Sequence, residues 1–402
     1  MALRMSGVRQ SGLQVMLSEA EEIARESLAT CSRCLVCLAG CTSYRATRDP
    51  RLSPPRRLQV AVRILLGGKS SEEDLYTLYT CSMCGACTAL CPYGIEIWRL
   101  VHAAKMKLSL EGKALKSIEQ VAVNGSRSGH SFTVDPTEPR RVLEEAARKA
   151  GVEPGGPGEA LYVPSPFETT LYPDKLTETL KLLRGIGVEV TVSPSALDLG
   201  GNVAVDAARP DIGAEMLEKV IEEAKRLGAE TVIMSACGAD IKLVHIAEKY
   251  GLTRLGGMEF IDVFTLVYKR APSSVLKPDG EDKNAVLFTS CGFCRFGYSY
   301  ACPIVTKLSS ARRMKDKPPY TFCCGGGGGI NYVREKPFVE TRNKVYRWRA
   351  NRVMNYNVRE VVTPCIKCYT VLRHGLLLAR GLGKVRVTML TTALLRRLEE
   401  RV

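Results

Sequence analysis

Features typical of exported proteins, membrane-spanning proteins and nucleotide-dependent oxidoreductases are missing from this 402-residue sequence. Residues 1–12 mix polar and apolar side chains without an apolar core segment, so we predict no secretory signal peptide. No run of about 18 or more uncharged apolar residues occurs, so we expect no membrane-spanning helix. No flavin or nicotinamide fingerprint is visible, so a redox function would need a partner that supplies or removes electrons. These absences predict a cytoplasmic protein, which its partner could hold at the inner face of the membrane.

Cysteine, by contrast, is abundant, with 16 residues in the chain. A disulfide framework would explain such a number in a short secreted protein, but not in a cytoplasmic one of this length. A reducing cytoplasm keeps thiols free, and free thiols in tight groups bind metals. The composition therefore predicts a metalloprotein.

Positive charge is concentrated at the C-terminal end. The formal net charge is +15, and residues 307–402 hold 21 Lys and Arg against 6 Asp and Glu, which accounts for all of it. This block is either a solvated surface or an attraction for something anionic: a thiol or disulfide substrate, an acidic partner or a lipid surface. Nucleic acid is not an expected partner, because no recognition motif accompanies the charge.

Hydrophobic periodicity divides the chain into three kinds of region. Residues 1–115 predict a helical domain, and residues 116–157 a polar, Gly- and Pro-rich linker with one helix near 142–150. Beyond the linker, strands and helices alternate, which is typical of parallel sheets with crossover helices. The expected fold class is α+α/β, with the α/β part divided into halves at 158–273 and 274–402. Strands are expected at 160–163, 188–192, 231–235, 285–289 and 360–363.

The two α/β halves contain a repeat that runs strand, cysteine, helix. The first copy has Cys237 and then Asp240 where the second has Cys365 and Cys368. We interpret the halves as a duplication in which only the second copy kept its full set of ligands. The repeated segments are 230–251 and 360–381.

Two motifs of four cysteines in the helical region share the spacing C-x2-C-x2-C-x3-C. In such motifs the first three cysteines wrap one cubane cluster, and the fourth ligates the other cluster of the pair. Zinc sites usually take two separated pairs of ligands, so a repeated run of four favours iron and sulfide. Crossed ligation would bring two [4Fe-4S] clusters close enough for rapid electron transfer. One cluster is expected on Cys31, Cys34, Cys37 and Cys91, and the other on Cys81, Cys84, Cys87 and Cys41.

A third group of cysteines lies in the C-terminal half and exceeds what a single cubane can use. In a parallel sheet, ligands that follow strands converge at the carboxyl edge, where such folds place their sites. The glycines at 325–329 would allow close backbone approach and could direct N–H groups at sulfide or an anion. Two alternatives are buried free cysteines and a regulatory disulfide between the vicinal pair, which would be strained. The group is Cys291, Cys323, Cys324, Cys365 and Cys368.

These motifs carry a specific resemblance that covers nearly the whole chain. The Cys-Cys-Gly motif, with a lone cysteine upstream and C-x2-C downstream, resembles the cysteine-rich domain of heterodisulfide reductases. The double cysteine motif, followed by TSYRATRDPRLSPPRRL at 42–58, resembles the ferredoxin part of the same proteins. Joined in one chain, the two parts resemble the D-type subunit of heterodisulfide reductase. Their order is similar to that in the iron–sulfur subunits of glycolate, lactate and anaerobic glycerol-3-phosphate dehydrogenases.

The resemblance implies a function and a cofactor. It implies a ferredoxin domain with two [4Fe-4S] clusters and a catalytic noncubane iron–sulfur cluster on the five C-terminal cysteines, where a disulfide is cleaved or formed. The chain would then be an electron-transfer subunit of an oxidoreductase complex, with a membrane cytochrome or a soluble flavoprotein as partner. The alternative is an iron–sulfur subunit that relays electrons from a flavin-dependent dehydrogenase toward quinone. A third possibility is a docking subunit whose last site is purely structural.

One departure from the family pattern concerns the first half. Pro164-Ser165-Pro166 stands where the lone cysteine belongs, and Gly200-Gly201 replaces the vicinal pair. We therefore expect this half to be structural, with Cys237 a buried core thiol. Three smaller hypotheses concern residues near the third group. Cys294 and Cys302 either pack or serve as a redox pair or spare ligand, His374 faces the site or solvent, and Lys367 could offer charge to a substrate.

Overall fold

The computed structural model describes residues 7–276, 280–295, 301–314 and 322–400. Its N-terminal part is helical, as predicted, and local signals explain several helix starts. Ser53 caps a helix that opens with two prolines, and Ser71 forms a capping box with Asp74 at the start of the next. The helices are α1 (Gly7–Thr30), α2 (Thr42–Thr47), α3 (Pro54–Leu65), α4 (Glu72–Tyr79), α5 (Ala86–Leu90), α6 (Ile97–Leu110), α7 (Lys116–Ser128) and α8 (Thr137–Lys149).

The segment from 116 to 157 contains more structure than the sequence suggested. It forms two helices, α7 and α8, and only the second was predicted. The polar composition of α7 hides a narrow apolar face, on which Ile118, Val121 and Ala122 are buried. Whether this segment acts as a linker between domains stays a prediction.

The first α/β half forms a four-stranded parallel sheet with strand order β2-β1-β3-β4. Its strands are β1 (Ala160–Val163), β2 (Val190–Thr191), β3 (Thr231–Met234) and β4 (Glu259–Asp262). Its helices are α9 (Pro166–Thr170), α10 (Pro173–Gly185), α11 (Pro210–Arg226), α12 (Gly238–Lys249), α13 (Val263–Arg270) and α14 (Ser273–Leu276), with a π-helical turn at Asn202–Asp206.

The second half repeats this arrangement with strand order β6-β5-β7-β8, also parallel. Its strands are β5 (Asp282–Leu287), β6 (Ala311–Arg313), β7 (Glu360–Thr363) and β8 (Arg386–Met389), and its helices are α15 (Cys291–Cys294), α16 (Ala301–Leu308), α17 (Lys336–Met354), α18 (Ile366–Leu378) and α19 (Leu390–Glu399). The matching orders confirm the predicted fold class, a helical domain followed by a duplicated α/β fold.

The two halves meet through the loops that follow β3, β5 and β7. A Cβ atom on Gly238 would lie 2.6 Å from the Cα of Gly292, so the two glycines lie in direct contact. The backbone N–H of Ile366 donates to the carbonyl of Ala236 at 2.9 Å. These contacts bring the carboxyl edges of both sheets to one place. Among the described residues, no helix is long and apolar enough to cross a membrane.

Candidate iron–sulfur sites

The first predicted cysteine group surrounds a small cavity near the surface. Cys31, Cys34, Cys37 and Cys91 line it together, which is the crossed grouping predicted from the motif spacing. The loop between these cysteines winds tightly, with Arg33 and Leu35 in the left-handed region at φ 56° and 62°. Cys34 is exposed, so this group lies nearest to solvent.

The second group lies deeper in the helical domain. Burial raises the pKa of the Cys87 thiol well above its ordinary value, and the nearby Cys84, Cys81 and Cys41 raise it further. Such mutual repulsion shows that the four sulfurs are neighbours, again in the crossed grouping. A cofactor that carries positive iron would relieve it.

A buried arginine stands beside the second group. The Arg57 guanidinium donates to the Cys41 sulfur at 3.2 Å and to the backbone carbonyl of Thr80 at 3.0 Å. Its side chain is only 3% exposed, so its charge acts on the sulfurs with little screening by water. Arg57 lies within the stretch that carries the family resemblance, yet the sequence analysis gave it no role.

The third group assembles from four separate segments of the second half. Cys291, Cys324, Cys365 and Cys368 line one cavity. The Cys323 thiol is within hydrogen-bonding reach of the Cys291 and Cys324 thiols. Cys324 in turn reaches Cys368, which reaches Cys365. The structure thus brings all five predicted cysteines together, and their role as ligands stays a prediction.

The glycine run after the vicinal cysteines behaves in part as expected. The N–H groups of Gly325 and Gly326 donate to the sulfurs of Cys323 and Cys324 at 3.3 and 3.4 Å. A Cβ atom on Gly328 would collide with the carbonyl oxygen of Cys81, a cysteine of the second group. Glycine is needed here because two backbone loops that carry cysteines touch.

The second and third groups are also joined by side chains. The Cys323 thiol hydrogen-bonds to the Cys84 sulfur, and this bond is the main cause that lowers the pKa of Cys84 to about 6. The hydroxyl of Thr42 donates to the carbonyl of Cys323 at 3.3 Å. Three cysteine groups therefore form a series from an exposed one, through a buried one, to the C-terminal one.

The donor set suits iron–sulfur clusters better than a single metal ion. Soft thiolates are the ligands that such clusters take, and each group offers at least four. Within the described ranges, no three His, Cys, Asp or Glu side chains converge as ligands of one ion would. Cluster ligands do not converge in this way, because the thiolates of a cubane bind different irons.

Lys367 is already paired, so it is not the substrate-facing charge that the sequence suggested. Its ammonium donates to the Asn202 side-chain oxygen at 2.9 Å and forms a short ion pair with Asp206. Asp206 also accepts the N–H of Gly328 at 2.8 Å. The fully buried Lys105 donates to the Gly328 carbonyl at 2.9 Å from the helical domain. These contacts fix the glycine run from two sides.

The remaining hypotheses have simple outcomes. Cys294 and Cys302 are joined by a disulfide that connects α15 to α16, so neither is a spare ligand in this structure. The ring of His374 packs edge-on against Tyr346 with centroids 5.6 Å apart, and His374 is not among the residues that line the cavity. Cys237 is buried, as expected of a core thiol, but it lines the same cavity as the C-terminal cysteines.

The first half keeps the geometry of a ligand site without its ligands. Cys237 and Cys365 both cap a helix in an extended conformation, with φ −129° and −122°. Asp240 then occupies the place of Cys368, and its carboxylate lies against Gly201, which stands in place of a vicinal cysteine. Burial raises the pKa of Asp240 to about 8, although Ser235 donates to it at 2.8 Å.

Comparison with known protein families agrees with these sites. Residues 27–95 match the family described as "4Fe-4S dicluster domain", and residues 285–373 match the family described as "Cysteine-rich domain". The chain is therefore an iron–sulfur protein in which a dicluster ferredoxin domain precedes a cysteine-rich domain.

Its relatives place it among the heterodisulfide reductase-like proteins, as the sequence motifs predicted. It is 26% identical to the "Hdr-like menaquinol oxidoreductase iron-sulfur subunit" of Archaeoglobus profundus, over 83% of this chain and 73% of that protein. It is 22% identical to one subunit of "Fumarate reductase (CoM/CoB)" from Methanothermobacter marburgensis, over 94% and 76%. It is 26% identical to an iron–sulfur subunit of the "CoB--CoM heterodisulfide reductase" of Methanopyrus kandleri, over 41% and 74%.

Proposed function

We propose that this chain is the iron–sulfur electron-transfer subunit of a heterodisulfide reductase-like complex and carries out thiol–disulfide chemistry at its C-terminal site. One [4Fe-4S] cluster is held by Cys31, Cys34, Cys37 and Cys91, and a second by Cys41, Cys81, Cys84 and Cys87. A noncubane cluster is held by Cys291, Cys323, Cys324, Cys365 and Cys368.

The contact between Cys84 and Cys323 carries this proposal. It joins a ligand of the second cluster to a ligand of the C-terminal site, so the electron path needs no intervening group. The first cluster lies nearest to solvent at Cys34, where Leu35 and Tyr93 are also exposed. A partner subunit would exchange electrons there.

The reaction balances with two electrons and two protons. A disulfide R–S–S–R′ gains both and becomes two thiols, and the reverse reaction releases them to the partner. The noncubane cluster would supply iron that stabilises a sulfur as thiolate, so cleavage needs no strong acid. The chain's own residues do the positioning: the N–H groups of Gly325 and Gly326 hold the vicinal sulfurs, and the Lys367–Asp206 pair fixes the loop behind them.

A relay from a flavin-dependent dehydrogenase toward quinone is not favoured by the comparisons. The Archaeoglobus and Methanothermobacter relatives each match more than four fifths of this chain, and their names are Hdr-like and CoM/CoB. Such names support a thiol-linked redox role in a complex with further subunits.

Anaerobic purification followed by iron and sulfide determination tests the proposal. Two cubanes and one larger site predict about 12 irons per chain. Electron paramagnetic resonance during stepwise reduction should show two cubane signals, and a third signal should change when a dithiol is added. About 8 irons, with no signal that responds to thiols, would show that the C-terminal site holds no cluster.

A further inference from the structure

A second cavity of about 610 Å³ lies beside the C-terminal site and has no role in the scheme above. It opens between α5, α6 and α12. Trp98, Ile246 and Met16 contribute apolar surface to it. The cavity at the cysteines themselves holds only about 50 Å³, too little for an organic molecule. A substrate therefore has room only in the neighbouring cavity.

Lys242 belongs to the wall between the two cavities, since it lines both. Its ammonium lies 5.6 Å from the centre of the Trp98 ring and 3.4 Å from the carbonyl oxygen of Met83. The charges of Cys291 and Cys84 both act on it, so it stands between the second cluster and the C-terminal site. Arg295, one turn after Cys291, donates to the carbonyl of Cys84 at 3.3 Å. Both cations lie at the inner end of the large cavity.

The charge of the lining is strongly asymmetric. Four cationic side chains line the cavity against a single carboxylate, Glu96. At the outer end, Glu19 also pairs with Arg99 and Lys249, which offsets much of the charge there. The inner end keeps its two cations beside apolar surface, an arrangement that suits an organic anion.

We propose that this cavity binds a small organic anion, carrying a carboxylate, sulfonate or phosphate, that is the thiol or disulfide substrate of the C-terminal site. The anionic group lies within reach of Lys242 and Arg295, and the carbon chain packs on Trp98 and Ile246. This inference rests on the proposed function and names its substrate class. It also locates the attraction for anions away from the basic C-terminal block.

Equilibrium dialysis of the anaerobically purified, iron-loaded protein tests the inference. The probe is radiolabelled 3,3′-dithiodipropionate, a dianionic disulfide, and cystamine serves as a dicationic disulfide of similar length. We expect dithiodipropionate to bind at least tenfold more tightly than cystamine. The K242M variant should weaken its binding at least tenfold, whereas K219M, which removes an exposed lysine paired with Glu215, should change it less than twofold.

The I246W variant guards against a loss of clusters in K242M, because it fills the cavity and leaves every cysteine and cation in place. It should reduce dithiodipropionate binding at least tenfold at unchanged iron content. Equal binding of the two disulfides, or wild-type affinity in I246W, overturns the inference. Wild-type affinity in K242M with an altered cluster reduction potential also overturns it, since the lysine would then only balance cluster charge.

Electron paramagnetic resonance separates this inference from the proposed function. A thiol-responsive signal that persists in I246W, together with unchanged binding, leaves the function standing and removes the cavity. Anion binding that is lost in I246W, in a protein without any thiol-responsive signal, supports the cavity and contradicts the thiol chemistry.

Discussion

The two α/β halves of this protein share a strand order but differ in the side chains that follow their strands. In the second half five cysteines meet there, whereas the first half has a single cysteine, buried carboxyl groups and glycines. The fold therefore does not depend on the ligands, because burial of apolar strands and crossover helices stabilises both halves alike.

The first half nevertheless takes part in the site of the second. Asp206 and Asn202 hold Lys367, which lies between two of the cysteines, and Asp206 also holds Gly328. Cys237 lines the same cavity. The half that the sequence suggested to be structural has thus exchanged metal ligands for polar contacts that position the remaining ligands. Four experiments can break or sharpen this comparison.

The largest expected difference is between the two equivalent cysteines that cap α12 and α18. C365S removes a proposed ligand, and we expect iron to fall from about 12 to about 8 per chain. C237S makes the same chemical change in the first half, and we expect it to keep about 12. Equal iron loss in both variants would show that the halves are not distinct in function.

Removal of the carboxylate that pairs with Lys367 should be the most destabilising polar change. Both partners are buried, so D206N leaves a buried cation with half its partners, at a cost of about 3–5 kcal/mol. Urea unfolding monitored by circular dichroism measures the effect. E138Q, which breaks an exposed pair with Arg141, should leave the midpoint unchanged, and a similarly small effect of D206N would contradict the role of this ion pair.

The carboxyl groups buried in the first half should make stability depend on pH. Burial raises the pKa of Glu168 to about 7, above its value of about 4.3 in an unfolded chain. The folded state therefore binds this proton more tightly, and its contribution to stability is present below pH 4 and is lost between about pH 4 and 7. E168Q should reduce the loss of unfolding free energy between pH 5 and pH 8 by about 2–3 kcal/mol.

The exposed Glu222 offers the control for this pH dependence. E222Q should follow the wild-type profile across the same range. Parallel profiles for E168Q and the wild type would mean that Glu168 titrates as an ordinary carboxyl group.

The smallest expected effect concerns the contact between the halves. In G292A the new methyl group would lie 2.5 Å from the Cα of Gly238, and such overpacking costs about 1–3 kcal/mol. G7A places its methyl group in open space at the start of α1 and should be neutral. Unfolding midpoints of the two variants compare them directly, and a neutral G292A would mean that the halves can separate without cost.

Much of the fold and of the cysteine grouping could be predicted, because their signals are local. The strands at 160–163 and 360–363 have the predicted ends, and spacing alone grouped the eight N-terminal cysteines as the structure does. The strands missed were β4, β6 and β8, which are all edge strands. Edge strands are short and partly exposed, so they lack the continuous apolar run that marks a central one.

The charged residues around the site could not be predicted for a different reason. Arg57, Lys105 and Lys242 come from helices far apart along the chain, and only the tertiary fold brings them to the cysteines. A lysine on a helix has the same local sequence signal whether it faces water or a cofactor. The basic C-terminal block drew attention instead, yet its Arg349 is fully buried and stacks on Phe288.

The contact of Gly327 and Gly328 with the carbonyls of Ser82 and Cys81 has a consequence for electron tunnelling. Tunnelling rates fall exponentially as the gap between donor and acceptor widens, and the absence of side chains lets these two loops approach as closely as backbones can. Even one methyl group at position 328 would widen that gap. The glycine run thus sets the shortest route along which charge leaves the relay, and its spacing would govern turnover even if no cysteine were changed.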